Sequence, residues 1–328
     1  MEFRRLGRSG LKVSRIALGC MMFGDAGRGY PDFTLSEDDS RPLLRAAIEA
    51  GVNFLDTSNG YSSGHSEEIV GRAVRDFSRR EDVVIATKVF ASMRPSPLSG
   101  GLSRREIVGE VERSLDRLGT DYIDLYQAHR WDPETPIEEI LSAFDQLVRD
   151  GKVRYLGASS MYAWKFAQAL TMAGERGWHR FVSMQNHLNL LYREEEREML
   201  PLCLEQGIGV VPWSPLARGR LARPADTQVL SARQQTDRFA DHLYGKGDEA
   251  DRQIIQAVGV VAEQLGISRS EVALAWLYQK PEVTAPLLGV GKLQHLEDAL
   301  KALEVTLPPE AIAALEAPYV SKPVSGIN

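Results

Sequence analysis

Asp56, Tyr61, Lys88 and His129 each lie at or just past a short apolar run in the first 130 positions of the chain. Val52-Asn53-Phe54-Leu55 precedes Asp56, Val83-Val84-Ile85-Ala86-Thr87 precedes Lys88, and Tyr122-Ile123-Asp124-Leu125-Tyr126 comes shortly before His129. If these runs are parallel strands of one closed sheet, the four polar side chains meet at its C-terminal mouth. A free Tyr holds its proton to a pKa of about 10. A neighbouring ammonium favours the phenolate and lowers that value, so Lys88 beside Tyr61 predicts a general acid. A buried ammonium needs a counter-charge, which Asp56 supplies. His129 then orients the oxygen that receives the proton. Read singly, the same residues are better explained as a turn cap at Asp56, a solvated strand-end Lys and a structural His. The case rests on their sharing one face of one fold.

The elements that must position them follow from the apolar pattern. Strands are predicted near Ile16–Leu18, Asn53–Leu55, Val83–Ala86, Tyr122–Tyr126, Val153–Leu156, Phe181–Met184, Gly209–Val211 and Pro286–Leu288. Amphipathic helices fall between them. In 103–118, Ile107, Val111, Leu115 and Leu118 recur at spacings of three and four, and in 137–148 Ile137, Ile140, Leu141, Phe144, Leu147 and Val148 do the same. Gly151 follows as a helix stop. Strands alternating with helices predict a single α/β domain over 1–328, a (β/α)8 barrel. A doubly wound sheet would carry a G-x-G-x-x-G fingerprint after its first strand, and the glycines at 24, 27 and 29 lack that spacing. Residues 1–14, with Gly7-Arg8-Ser9-Gly10 between two short runs, predict a β-hairpin plugging the N-terminal end of the barrel. A long polar loop is expected after strand seven, from about Arg218 to Gly247, and loops of that length in a compact domain are usually functional.

Composition narrows the class. The chain has 328 residues, 43% of them hydrophobic, and a net charge of −6 without long charge runs. Neither a nucleic-acid nor a membrane partner is expected. The start of the chain does not read as a signal peptide, and Cys20 and Cys203, the two cysteines, fit a reducing cytoplasm. No metal-ligand spacing, nucleophile elbow or Tyr-x-x-x-Lys helix is present.

Several segments resemble the aldo-keto reductases over nearly the whole chain. They are Phe54-Leu-Asp-Thr-Ser-Asn-Gly-Tyr61, Gly64-His-Ser-Glu-Glu-Ile-Val-Gly71, Ala86-Thr-Lys88, Asp121 to His129, Gly157-Ala-Ser-Ser160 and Pro212-Trp-Ser-Pro-Leu-Ala217. The stretches Phe181 to His187 and Tyr192 to Cys203 are similar to a bacterial branch of aryl-alcohol-dehydrogenase-like or 1-deoxyxylulose-5-phosphate-forming reductases. The resemblance implies a catalytic tetrad of Asp56, Tyr61, Lys88 and His129 and reversible NADPH-dependent reduction of small aldehydes or ketones. It places Ser159, Ser160 and Gln185 at the nicotinamide carboxamide and Trp213 against the ring. Ser160 stands where many relatives have Asn. Ser214, Leu216, Arg218 and Arg220 are expected along the pyrophosphate. Gly289, Gly291, Lys292 and His295 are expected at the adenosine phosphate, where glycines before a helix admit an anion. The cation Lys292 favours NADP(H) over NAD(H). Trp131, Phe23, Tyr30 and Phe90 are candidate substrate-pocket walls, and an aromatic mouth suits an apolar or aromatic carbonyl compound. Two other roles remain open: conversion of ribulose 5-phosphate to 1-deoxyxylulose 5-phosphate, needing a second anion site from arginines such as Arg28 and Arg94, and a non-catalytic NADP-binding regulatory subunit. Oligomeric state is not legible.

Overall fold

Alternation decides where each strand residue points, and the strands here are too short to leave much choice. The computed structural model describes residues 1–31, 33–227, 237–245 and 249–327. An antiparallel hairpin pairs β1 (Phe3–Arg5) with β2 (Lys12–Ser14). Eight parallel strands follow: β3 (Ala17–Gly19), β4 (Phe54–Asp56), β5 (Val84–Val89), β6 (Ile123–Ala128), β7 (Val153–Ser159), β8 (Phe181–Gln185), β9 (Gly209–Val210) and β10 (Leu287–Gly289). They pair in sequence order, with β10 returning beside β3. Thr284 N donates to Val210 O at 2.8 Å and Leu287 N to Pro212 O at 2.8 Å, which brings the last strand back to the ninth. The ring is the expected (β/α)8 barrel.

Two apolar layers result. Leu18, Leu55, Ile85 and Tyr126 face outward into the large core shared with the helices. Ala17, Phe54, Val84, Ala86, Leu125, Val211 and Ala285 face inward with Leu6 and Val13 of the hairpin, so the hairpin does plug one end. The inward series then turns polar at the other end. On β4 it runs Phe54, Asp56; on β5 Val84, Ala86, Lys88; on β6 Leu125, Gln127 and on to His129; on β8 Ser183, Gln185. Lys88 therefore lies within β5, paired with Gln127, rather than past the strand end as expected. Its backbone continues the ladder while its side chain points into the barrel.

The helices match their predicted spans closely. Arg104–Leu118 is capped by Ser103, whose side chain accepts from Glu106 N, and Ile137–Arg149 ends just before Gly151. The expected loop after strand seven is only partly loop. The described portion holds a turn at Ala217–Gly219 and a helix at Arg238–Tyr244, which Leu243 and Tyr244 tie to the core. Residues 228–236 and 246–248 of that segment lie outside the described residues.

Candidate active site

Lys88 is the centre of the site. Its ammonium is fully buried and forms an ion pair with Asp56 Oδ1. It also donates to Thr57 O at 2.8 Å and reaches Tyr61 OH at 3.3 Å. The other carboxylate oxygen of Asp56 accepts from Gln127 Nε2 and Gln185 Nε2, both at 2.9 Å. Every strong acceptor on Asp56 is thus used, as burial demands. Gln127 was not singled out in the sequence, although it sits two residues before His129 on the same face of one strand. Room for it comes from Gly157, where a Cβ would lie 2.5 Å from Ser183 Oγ and 2.9 Å from Gln127 Cγ.

Tyr61 and His129 complete the group. Their rings meet edge to face, centroids 5.7 Å apart. Ser58 Oγ lies 3.1 Å from His129 Nδ1 and accepts from Gly60 N at 3.3 Å. The loop carrying Tyr61 is tied down from outside the barrel. Thr57 bonds Ser66 at 2.9 Å, Asn59 donates to Glu110 at 3.1 Å, and Arg117 joins Glu110 to Glu67, which takes the Thr87 hydroxyl. Ser62 and Ser63 hold positive φ in the turn that follows, a conformation that surrounding structure must enforce.

The electrostatics differ from the simple expectation at one point. Burial is the largest influence on Tyr61 and outweighs the opposing Lys88 charge, so the phenol pKa is raised, not lowered. Burial also pulls Lys88 down, but the Asp56 charge and the contacts with Asp56 and Tyr61 more than offset it, and the net shift is upward. Burial, then the charges of Lys88 and Arg130, hold the His129 imidazole well below its usual range. At neutral pH the site holds a protonated phenol, an ammonium and a neutral imidazole.

Beside this group lies a second polar cluster. Ser159 and Ser160 share a hydrogen at 3.2 Å, and Trp213 Nε1 donates to Ser160 Oγ at 3.1 Å. Gln185 gives one amide hydrogen to Asp56, leaving its second amide hydrogen and its carbonyl oxygen as the groups it can offer. Behind Trp213 stands His187, which the sequence reading missed. It stacks on Trp213 at 4.2 Å and on Tyr192 at 4.3 Å, and its Nε2 meets Tyr244 OH at 2.8 Å. The flat indole, its backing stack and the hydroxyl–amide set together fit an aromatic ring bearing a carboxamide.

Ser214, Ala217 and Arg218 have positive φ, and Gly219 follows with φ +86. Ala217 N, Gly219 N and Arg220 N already bond within this turn, at 2.9, 2.8 and 3.2 Å, so an anion here would meet the turn's other amides. Leu216 lies inside it. Arg218 is nevertheless paired with Asp237, and Tyr30 also bonds it, while Arg220 donates to Gly245 O at 2.9 Å. At the far side, Gly289 and Gly291 lead into the helix Leu293–Ala302, whose N-cap, Lys292, provides no side-chain cap. Lys292 is exposed, and Gly291 N donates to His295 Nδ1 at 3.2 Å. The uncapped amides and the cation fit a phosphate.

The pocket-wall candidates separate. Phe23 is fully buried in the core and presents no surface to a ligand. Tyr30 is 49% exposed, edge-on to Phe33 at 6.3 Å. Trp131 and Phe90 are part-buried against the core. Arg28 and Arg94 pair with Glu68 and Glu106, at 3.5 and 3.3 Å. Among the described residues, no helix is long and apolar enough to cross a membrane.

Comparison with known proteins bears on the same residues. The aldo/keto reductase family model matches residues 15–319. The chain is similar to versiconal hemiacetal acetate reductase of Aspergillus parasiticus, 44% identical over 99% of this chain and 98% of that protein. It is 42% identical to an aldo-keto reductase of Alternaria alternata, over 99% of this chain and 93% of that one. A Schizosaccharomyces pombe protein provisionally named an aryl-alcohol dehydrogenase is 41% identical over 98% and 96%. These relatives are fungal, so the expected narrowing to a bacterial, deoxyxylulose-forming branch is not what they single out. The barrel, its polar mouth and this likeness along its length agree: the chain belongs to the aldo/keto reductase family.

Proposed function

We propose that Tyr61 is the proton donor of an oxidoreductase that reduces small aldehydes and ketones, with NADPH the preferred cofactor. The observation that carries the reading is the 3.3 Å approach of the buried Lys88 ammonium to the Tyr61 hydroxyl, with Asp56 as its counter-ion. A bound nicotinamide, with Ser159, Ser160 and Gln185 on its carboxamide and Trp213 against its ring, would supply the hydride to the carbonyl carbon. Tyr61 gives its proton to the carbonyl oxygen. The Lys88 charge offsets part of the cost of the phenolate left behind. Ser58 Oγ lies 3.1 Å from His129 Nδ1 and also 3.4 Å from Asn59 Oδ1; with the Ser58 hydrogen turned to the ring nitrogen, the neutral imidazole carries its own hydrogen on Nε2 and holds the substrate oxygen. Alcohol oxidation runs the same groups in reverse, and the raised Tyr61 pKa favours the reductive direction near neutral pH.

Ser214, Leu216 and Arg218 would hold the pyrophosphate once Arg218 exchanges Asp237 for it, with Arg220 close by. Gly289, Gly291, Lys292 and His295 would take the adenosine phosphate. Lys292 is the reason to prefer NADP(H), because a 2′-phosphate needs a cation that NAD does not. The pairing of Arg28 and Arg94 with carboxylates leaves the ribulose 5-phosphate reading without the anion site it was given, and the complete tetrad favours catalysis over a purely regulatory role.

The test is Tyr61→Phe, with NADPH oxidation followed by absorbance against benzaldehyde-type substrates. Loss of the proton donor lowers kcat by about 10²–10⁴-fold with NADPH affinity nearly unchanged. Turnover near the wild-type rate would falsify the assignment.

A further inference from the structure

Arg130 follows His129 directly, and among the described residues its charge has no partner of opposite sign. Its hydrogen bond to a described residue runs from Nη1 to the carbonyl of its neighbour His129, at 3.2 Å, and it makes no ion pair with any described residue. Three other arginines around the mouth are paired with carboxylates, Arg28 with Glu68, Arg94 with Glu106 and Arg218 with Asp237, and Arg220 donates to Gly245 O. Arg130 is only part-exposed. Its guanidinium lies close enough to act electrostatically on Tyr61, His129 and His187, so it overlooks the reacting centre. Charges withdrawn from water are normally paired, and here no carboxylate among the described residues answers the guanidinium, only the His129 carbonyl.

The neighbouring rim repeats the pattern. Trp131 is part-buried, and the Lys165 ammonium sits 5.4 Å from its ring centroid and 4.5 Å from that of Trp164. Trp164 is 59% exposed. Lys165 also makes no ion pair with a described residue. A lysine held against two indoles, beside an arginine that no carboxylate of the described residues pairs, suits a ligand that is both flat and negatively charged.

We infer that this mouth selects aromatic carbonyl compounds bearing a carboxylate, with the anion on Arg130 and the ring against Trp131 and the Trp164–Lys165 edge. The inference rests on the carbonyl-reductase reading and adds the substrate class to it. Arg130 would be a specificity residue: a bidentate partner for the carboxylate that fixes how far the carbonyl sits from Tyr61.

The experiment compares 4-carboxybenzaldehyde with its methyl ester, the same ring without the charge, and with ribose 5-phosphate, the same charge without the ring. NADPH oxidation is followed for the full chain and for Arg130→Gln, Arg130→Lys and, as a remote control, the exposed Arg149→Gln. The wild type should favour the acid over the ester by about tenfold or more in kcat/KM, chiefly through KM. Arg130→Gln should collapse that ratio toward unity, Arg130→Lys should restore part of it, and Arg149→Gln should leave it alone. No preference in the wild type, equal losses on acid and ester, or a rise confined to the KM for NADPH would each overturn the inference. A preference for ribose 5-phosphate over both benzaldehydes would overturn its aromatic half. Benzoate binding, read by quenching of tryptophan fluorescence, separates the two levels. Benzoate bound in an Arg130-dependent way by a protein that reduces none of the aldehydes supports the anion site and fails the reductase reading. Ester reduction without benzoate binding does the opposite.

Discussion

Replacing Asp56 by Asn tests the electrostatic logic at its base. Asp56 meets the Lys88 ammonium on Oδ1 and the amides of Gln127 and Gln185, each at 2.9 Å, on Oδ2. Asparagine offers one carbonyl to the same donors, so in either orientation its own NH₂ faces a donor. If the carbonyl serves the glutamines, Lys88 keeps Thr57 O at 2.8 Å and Tyr61 OH at 3.3 Å but loses its counter-charge. Breaking a buried pair in this way costs about 3–5 kcal/mol. In the wild type the Lys88 pKa is raised in the fold, so its contribution is complete below the unfolded value near 10.4 and is lost only as pH rises through the folded value. In the variant, burial is opposed only by Tyr61, and the folded pKa should drop below the unfolded one. The penalty then shrinks as pH rises and Lys88 becomes neutral in both states. Urea unfolding should show a larger deficit at pH 7 than at pH 9. With the ammonium discharged, kcat at pH 7 should fall by about a hundredfold or more, and residual activity should rise toward lower pH. Equal destabilisation at both pH values, with an unchanged pH–rate profile, would refute the reasoning.

The remaining expectations are smaller in scope. Lys292→Gln should reduce the preference for NADPH over NADH by about tenfold, roughly the worth of one charge-assisted contact, with kcat unchanged; a constant ratio of kcat/KM for the two cofactors would remove Lys292 from the site. Glu195 is buried, and burial above all lifts its pKa to about 7. A folded value above the unfolded one near 4.3 penalises the ionised form, so Glu195→Gln should stabilise by up to about 3 kcal/mol at pH 8 and by little at pH 5; equal gains at both would count against it. At Gly7, φ is +60 and a Cβ would lie 2.3 Å from Gly207 O and 2.6 Å from Gly209 N. Gly7→Ala should therefore cost about 2 kcal/mol or more, measured by denaturant midpoint, with the catalytic constants of the folded fraction retained.

Legibility followed from where the physics is local. The strands could be read because each is a short apolar run ending in a turn, and Asp56, Lys88 and His129 could be read because each is a polar residue at or near the end of such a run, Lys88 still inside its strand. Period-two alternation was underused: it also selects Gln127, which feeds Asp56. Other features depend on contacts across the fold that no short window contains. His187 backs Trp213 from 26 positions away, and Arg218 faces Asp237 rather than open solvent. The Tyr61 shift was misjudged in sign because sequence shows the ammonium nearby but not the depth of burial that outweighs it. Phe23 was misplaced for a related reason, since a loop aromatic next to a strand end is drawn inward whenever core volume is available.

The stopper formed by the N-terminal hairpin has a consequence for traffic. With Leu6 and Val13 filling the bottom of the ring, everything that reaches Lys88 and Tyr61 enters and leaves by a single doorway. A carbonyl compound seated there, as proposed, would also cut the phenol off from bulk water. On the proposed mechanism, the proton that Tyr61 spends in one turnover would be replaced only after the alcohol departs, which would couple recharging of the acid to product exit.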